Sequence, residues 1–348
     1  MKIRVLVVDD SALMRGLLTQ MIEQSPDMEV VGAAPDAPAA RELIKELDPD
    51  VLTLDVNMPK MDGLEFLERL MRLRPMPVVM VSSYTEAGSE ATLRALELGA
   101  VEFIGKPRAD NQKALEDYAE ELADKIRAAK NARLRQSSGV AITPKPLVHA
   151  PKSVLVAPAG SLMFIGASTG GTEALKVFLQ GMPANCPPIL VVQHMPETFT
   201  GSFARRLDTL CPPRVIEAQG NERIEPGTVY IAPGHSHLRI RRGSGCYMTE
   251  LVKTEAVNRH RPSVDVLFES AAELLGAKGL GVILTGMGKD GALGLLKMRQ
   301  AGARTFGQNE ATCVVYGMPR EAFEIGAVEL QASLEDLPKH VLACFSRA

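Results

Sequence analysis

The opening stretch MKIRVLVVDDSALMRGLLTQMI, residues 1–22, decides the first question of fold. Residues 3–8 are an apolar run rich in β-branched side chains, which suits a strand covered on both faces. After two aspartates the period changes, and Leu13, Met14, Leu17, Leu18, Met21 and Ile22 recur on one helical face. Strand leads to helix, and the alternation repeats: short apolar runs at 29–32, 51–54, 78–81 and 101–104 each precede a helical pattern, at 37–47, 64–73, 89–98 and 115–129. Five such units in succession predict an α/β domain with a parallel sheet and helices on both faces, spanning residues 1–130.

At 348 residues the chain exceeds what one core usually organises. Between 131 and 160 the helical pattern dissolves into RQSSGVAITPKPLVHAPKSVLVAPAG, whose prolines discourage helix and central strand. This stretch reads as a linker, and His149 within it as a solvated residue. Apolar strands return at 162–165, 189–192, 229–231 and 280–284, with helical segments at 173–179, 203–210, 264–275 and 293–301. A second, doubly wound α/β domain is expected over 161–348.

The net charge of -3 offers no basic field for nucleic acid, and no helix-turn-helix pattern closes the chain, which argues against a DNA-binding regulator. The first residues lack the apolar core of a signal peptide, and no run approaches a membrane span, so a cytoplasmic location without membrane insertion is expected. Five scattered cysteines with no CxxC pair indicate neither a disulfide framework nor a zinc site.

In an open parallel sheet, ligands gather at the carboxyl ends of the strands. Asp9 and Asp10 end the first strand, Asp55 the third and Ser82 the fourth, and Lys106 follows the fifth. Clustered carboxylates are hard oxygen donors suited to Mg²⁺, and a carboxylate can act as a phosphoryl nucleophile while a lysine neutralises the transferred charge. With DVNMPKMDG after the third strand and the Lys106-Pro107 pair, residues 1 to about 128 resemble a response-regulator receiver domain, which implies a flavodoxin-like fold. The resemblance implies Asp55 as phosphoryl acceptor, Asp9, Asp10, Asp55 and the Asn57 backbone carbonyl as the Mg²⁺ site, Ser82 and Lys106 as partners of the phosphoryl group, and Phe103 as an aromatic switch. Alternation along the fifth strand would equally bury Phe103 as plain core.

The strand at 162–165 runs into Gly166-Ala-Ser168-Thr-Gly170, a strand-to-helix turn that lifts a serine hydroxyl above a sheet. Ser168 is the candidate nucleophile. A phosphate cradle is the competing reading of these glycines, but the lysine of a P-loop is absent. His194, at the end of the strand 189–192, is the best-placed base, and Asp290, in LTGMGKDG after 280–284, the best-placed acid. Asp265 competes for the third role, although its place at a helix start is explained by capping. His235 and His237 read as structural or substrate-loop residues, without a third ligand for a metal, and His260 and His340 as non-catalytic. The order Ser, His, Asp differs from that of the α/β-hydrolases.

The runs FIGASTGG, VVQHMP, YIAPGHSHL, NRHRPSVDVLF, ILTGMGKDGALGL and QNEATCVVYGMP are similar to the catalytic domain of CheB-type chemotaxis protein-glutamate methylesterases, and a receiver domain ahead of it is that family's order. The resemblance implies a triad of Ser168, His194 and Asp290, with the backbone N–H of Met287 as an oxyanion donor. It implies hydrolysis of glutamate methyl esters on the cytoplasmic helices of methyl-accepting chemotaxis receptors, and deamidation of glutamine at such sites. It further implies a CheA-type histidine kinase as phosphodonor, and a receiver that obstructs the serine until Asp55 is phosphorylated. A phosphorylation-controlled binding module without catalysis is the alternative, distinguished by an absence of ester or amide turnover.

Overall fold

The structure, a computed structural model, describes residues 1–58, 61–83, 85–107, 112–134 and 160–345. The chain forms two compact units, Met1–Ala141 and Ile142–Ala348. The expected linker, His149 included, lies outside the described residues except at 131–134 and 160.

The first unit runs β1 (Ile3–Val8), α1 (Ala12–Glu23), β2 (Met28–Ala34), α2 (Ala37–Leu47), β3 (Val51–Asp55), α3 (Gly63–Leu73), β4 (Val78–Ser82), α4 (Glu86–Glu97), β5 (Glu102–Gly105) and α5 (Gln112–Lys130). The five strands pair in parallel in the order β2-β1-β3-β4-β5. Side chains of Ser11, Asp36, Asp62 and Thr85 accept N–H groups in the first turns of α1 to α4, which fixes where each helix begins. Helix α1 packs beside α5 and α3 beside α4. Right-handed crossovers place the two pairs on opposite faces of the sheet. Leu13, expected on the buried face of α1, is 82% exposed. It lies in the first turn, beside the strand-end aspartates, while Leu18, Met21 and Ile22 further along supply the buried face.

The second unit runs β6 (Leu162–Ala167), α6 (Gly171–Gln180), β7 (Ile189–Gln193), α7 (Glu197–Leu210), β8 (Arg214–Glu217), β9 (Thr228–Ile231), β10 (His237–Arg242), β11 (Tyr247–Val252), α8 (Val264–Leu275), β12 (Gly279–Ile283), α9 (Ala292–Gln300), β13 (Arg304–Gln308), α10 (Met318–Glu324), β14 (Leu330–Ala332) and α11 (Leu337–Phe345). Seven strands form a sheet in the order β14-β13-β12-β6-β7-β9-β8, parallel throughout. The order reverses at β6 and β12: from β6 the chain builds outward to β7, and from β12 it builds the other way. Helices α6, α7 and α11 pack together on one face, and α8, α9 and α10 on the other. The crevice between β6 and β12 is thus the topological switch point, at the carboxyl ends of the strands.

Four strands were expected here, and the structure adds β8, β13 and β14 to the sheet and the antiparallel hairpin β10–β11 beside it. Strand β13, RTFGQ, is buried through Thr305, Gly307 and Gln308, residues that carry little apolar signal. In β10, Leu238 and Ile240 are buried while Arg239 and Arg241 are partly exposed, so the hairpin packs one face only.

Helix α8 covers the switch point and buries Leu267, Phe268, Ala271 and Leu275 in a core shared with Phe164 and Val192. Its first residue, Val264, reaches the sheet because two positions opposite it lack a Cβ. A Cβ on Gly166 would lie 2.2 Å from Val264 Cγ1, and one on Gly291, whose φ is 88°, would lie 2.5 Å from the same atom. Val264 is β-branched and has little rotamer freedom with which to yield. Gly166→Ala is expected to destabilise this unit by about 1–3 kcal/mol, read as a lowered urea midpoint at unchanged m-value.

Candidate active site

Register brings the three rim residues together. Gly166 pairs with Val192 on one side and Ile283 on the other. Two residues further along each chain stand His194, Ser168 and Thr285, and the alignment persists past the strands: His194 N–H donates to Ala167 O at 3.1 Å and Ser168 N–H to Thr285 O at 3.0 Å. Gly170, at φ 75°, turns the chain into α6 just beyond the serine. The close approach of the next loop is visible at Gly286, where a Cβ would lie 2.7 Å from Ser168 Cβ.

His194 and Asp290 are joined directly, Nε2 to Oδ2 at 2.8 Å. Asp290 is 2% exposed and sits at the N-terminus of α8, where its carboxylate also accepts from the N–H groups of Val264 at 2.7 Å and Asp265 at 3.2 Å, from Ser263 Oγ at 2.8 Å and from Asn258 Nδ2 at 2.8 Å. Burial works hardest against its ionisation, but the His194 hydrogen bond and charge, then the donors from Asn258 and Val264, outweigh it and hold the carboxyl well below the usual carboxylate range. Asp290 is consequently an acceptor only, so Nε2 carries the imidazole proton. Nδ1 is left as the basic nitrogen; it is buried and meets no partner among the described residues. The ring is turned relative to the serine-protease arrangement, in which the acid holds Nδ1. Ser168 Oγ makes no hydrogen bond to His194 here; the two stand on adjacent strand ends, and such contacts often tighten only with substrate bound. The N–H of Met287 meets no acceptor among the described residues.

The competing acid, Asp265, does not touch His194. Its Oδ1 accepts from Gly294 N–H at 2.7 Å and its Oδ2 from Asn258 Nδ2 at 2.7 Å, so it ties α8 to α9 and holds the asparagine that holds Asp290. Burial pushes its carboxyl up, and the charge of Asp290 adds to this. His237 is fully buried: Nδ1 accepts from Ser263 N–H at 3.1 Å and Nε2 donates to Glu255 O at 2.9 Å, a structural role as expected. His235 Nδ1 lies 2.6 Å from Ser236 Oγ, and His340 is exposed on α11. His260, read from the sequence as non-catalytic, stacks on the His194 ring with centroids 3.6 Å apart. Sequence reasoning also missed Asn258, Ser263 and Gln193, whose Nε2 donates to the carbonyls of Ser168 at 3.0 Å and His194 at 3.2 Å. Asn258 and Ser263 lie within the quoted run NRHRPSVDVLF that carries His260, and Gln193 precedes His194, but no spacing rule links them to Asp290.

At the carboxyl edge of the first sheet, Asp9 and Asp55 are buried and Asp10 is exposed, with an oxygen of each within 4.8 Å of the others. Three hard oxygen donors at this separation fit Mg²⁺. Lys106 Nζ reaches both buried acids, Asp55 at 2.8 Å and Asp9 at 3.0 Å. Burial disfavours the Lys106 charge, but the two carboxylates overcome it and hold the ammonium above the usual lysine range. Asp55 moves up despite its lysine, because burial and the neighbouring Asp9 together exceed the help from Lys106 and from Asn57 N–H at 3.2 Å. Ser82 Oγ donates to Gly88 O of α4 at 3.2 Å. Phe103 is 2% exposed, with Lys125 Nζ 5.5 Å from its ring centre. All five cysteines are free thiols, with burial pushing Cys186 and Cys211 up to about 12.

A raised carboxyl means that the folded unit binds the Asp55 proton more tightly than the unfolded chain, so stability falls as pH rises from the ordinary carboxylate value through the raised one. Asp55→Asn is therefore expected to raise the urea midpoint of this unit at neutral pH. Added Mg²⁺ should stabilise wild type and do so less in Asp55→Asn; a midpoint insensitive to both changes would contradict the site.

The CheB methylesterase family model matches residues 163–341, and the response regulator receiver domain model matches residues 5–117. The protein-glutamate methylesterase/protein-glutamine glutaminase 1 of Dechloromonas aromatica (strain RCB) is 72% identical over 99% of both chains. The protein-glutamate methylesterase/protein-glutamine glutaminase of Methylobacillus flagellatus is 58% identical over 98% of this chain and 96% of that one. The crystal structure of the Thermotoga maritima CheB methylesterase catalytic domain is 40% identical and superposes with a TM-score of 0.52, covering 53% of this chain and 99% of that one. With the sheet reversing at the strand that leads into Ser168, and with these matches over nearly its whole length, the chain belongs to the CheB methylesterase family and carries a receiver domain ahead of the methylesterase domain.

Proposed function

We propose that this chain is a phosphorylation-activated serine hydrolase that demethylates glutamate methyl esters on the cytoplasmic helices of chemotaxis receptors and deamidates glutamine at such sites. The observation that carries the reading is the His194–Asp290 pair, 2.8 Å apart at the switch point, with Ser168 on the next strand end and a bare imidazole nitrogen beside it. Ser168 Oγ attacks the ester carbonyl while His194 Nδ1 takes its proton, and Asp290 steadies the imidazolium through Nε2. The developing oxyanion takes the Met287 N–H. Methanol leaves with the proton from Nδ1, and water, activated by the same nitrogen, releases the glutamate and restores the serine. For glutamine the leaving group is ammonia.

In the receiver, assigned to 1–130 and joined through 131–160 to the catalytic domain at 161–348, Asp55 accepts the phosphoryl group from a CheA-type histidine kinase. Asp9, Asp10, Asp55 and the Asn57 carbonyl would hold Mg²⁺, which supplies countercharge for the phosphoryl oxygens. Lys106 pairs with the group, and Ser82 turns from Gly88 to donate to it. Phosphorylation then favours a state in which the serine is accessible. No helix among the described residues is long and apolar enough to cross a membrane.

Methanol release from methylated receptor, with and without a small phosphodonor, tests the reading. Wild type should release methanol faster with the donor, Asp55→Ala should not respond, and Ser168→Ala should keep only residual activity in a folded protein. Asp290→Asn should lower turnover by about 10⁴-fold, because the imidazole tautomer is no longer enforced. Near-normal release from Ser168→Ala would remove the serine mechanism, and a response to donor in Asp55→Ala would move the acceptor elsewhere.

A further inference from the structure

We propose that Asn258 is a positioning residue for this hydrolysis: its carboxamide, delivered by a tight turn, bridges Asp290 to a second buried acid and keeps the Asp290 carboxylate aimed at His194 Nε2. The proposal rests on the Ser168–His194–Asp290 reading above.

Residues Val257 to His260 form a two-residue hairpin turn, closed by Val257 N–H to His260 O at 3.0 Å and His260 N–H to Val257 O at 2.9 Å. Both central residues are left-handed, Asn258 at φ 52° and Arg259 at φ 67°, the conformation of a type I′ turn, in which asparagine is among the few side chains tolerated. The approach to the turn is tied down by His237 Nε2–H on Glu255 O at 2.9 Å, and its exit by Arg261 on Thr254 O at 3.1 Å. One four-residue unit therefore meets both members of the His–Asp pair. Asn258 Nδ2 bonds Asp290 Oδ1, and the His260 ring lies flat on His194.

The asparagine does what no other donor in the site does. Both hydrogens of its Nδ2 are used, one on Asp290 Oδ1 at 2.8 Å and one on Asp265 Oδ2 at 2.7 Å, so a neutral group sits between two buried carboxyls that repel each other. Val264 N–H and His194 both bind Oδ2, whereas Asn258 shares Oδ1 with Ser263 Oγ and the Asp265 N–H. Without the Nδ2 donor, Oδ1 keeps only the Ser263 hydroxyl and the longer Asp265 N–H, both at the start of α8, so the carboxylate loses its tie to the turn and can rotate toward the helix and away from Nε2. Substrate does not need to touch Asn258 for this to matter, so the effect belongs to turnover rather than to binding.

Full-length wild type, Asn258→Gly and Asn258→Asp separate positioning from mere support of the fold. Glycine retains the left-handed backbone and removes both N–H donors. Its kcat for methanol release is expected to fall by roughly 10- to 100-fold with KM nearly unchanged. Labelling of Ser168 by a fluorophosphonate should slow in proportion, in a protein whose circular dichroism and melting midpoint remain those of a folded chain. An aspartate at this position can donate only when protonated, so labelling of Asn258→Asp relative to Asn258→Gly should rise as the pH is lowered from about 8 to about 6. A role confined to stability would leave that ratio flat. Unchanged kcat and labelling in Asn258→Gly, or a flat ratio, overturns the proposal. If wild type releases no methanol from receptor but labelling still slows in Asn258→Gly, the substrate reading fails and the positioning role stands.

Discussion

A carboxylate taken out of water needs its lost hydrogen bonds replaced, and the catalytic unit is arranged around meeting that need at Asp290. Five donors converge on it: two backbone N–H groups and a hydroxyl at the start of α8, the asparagine of the Val257–His260 turn, and the imidazole of His194. An isolated buried carboxylate would cost several kcal/mol, whereas each hydrogen bond to a charged group returns about 1.5–3 kcal/mol. The donors together win, and the acid stays ionised. Helix α8 can deliver its N-terminus only because Gly166 and Gly291 leave room for Val264, so the close packing of helix on sheet and the protonation state of the acid are one arrangement.

The acid pocket of the receiver is built on the opposite principle. Asp9 and Asp55 share a single lysine, and Asp55 sits above its ordinary range rather than below it. Neutral donors in fixed backbone positions make a charge permanent, as at Asp290. A flexible ammonium shared between two acids leaves the pocket short of positive charge, a deficit that a divalent cation can fill. A hydrolytic site benefits from the first condition and a site that is to be switched from the second.

The alternation of strand and helix was legible along both halves of the chain because parallel strands covered on both faces read as continuous apolar runs. The strand-end residues Asp9, Asp55, Ser168 and His194 were legible for a related reason, since polar residues that close such runs have few roles besides capping and chemistry, while Asp290 stands further on, in the loop between β12 and α9. Strands β13 and β14 escaped notice because Thr305, Gly307, Gln308 and Gln331 lie in them with no apolar period to announce it. The place of His260 was not legible because it depends on a turn whose left-handed residues bring the ring back over His194.

Residue type and order alone thus pointed to two α/β units, to the strand ends that carry Ser168 and His194 and the loop that carries Asp290, and to the place where three acids and a lysine converge. Only the tertiary structure decided that β6 and β12 are neighbours across the reversal of the sheet, that Asp290 rather than Asp265 meets His194, and that it does so at Nε2, with Nδ1 meeting no partner among the described residues. The physical reason is that hydrophobic period is local in sequence, whereas a ring tautomer and a buried charge are set by donors from Asn258, Ser263 and the α8 backbone that meet Asp290 across 25 to 32 residues of chain.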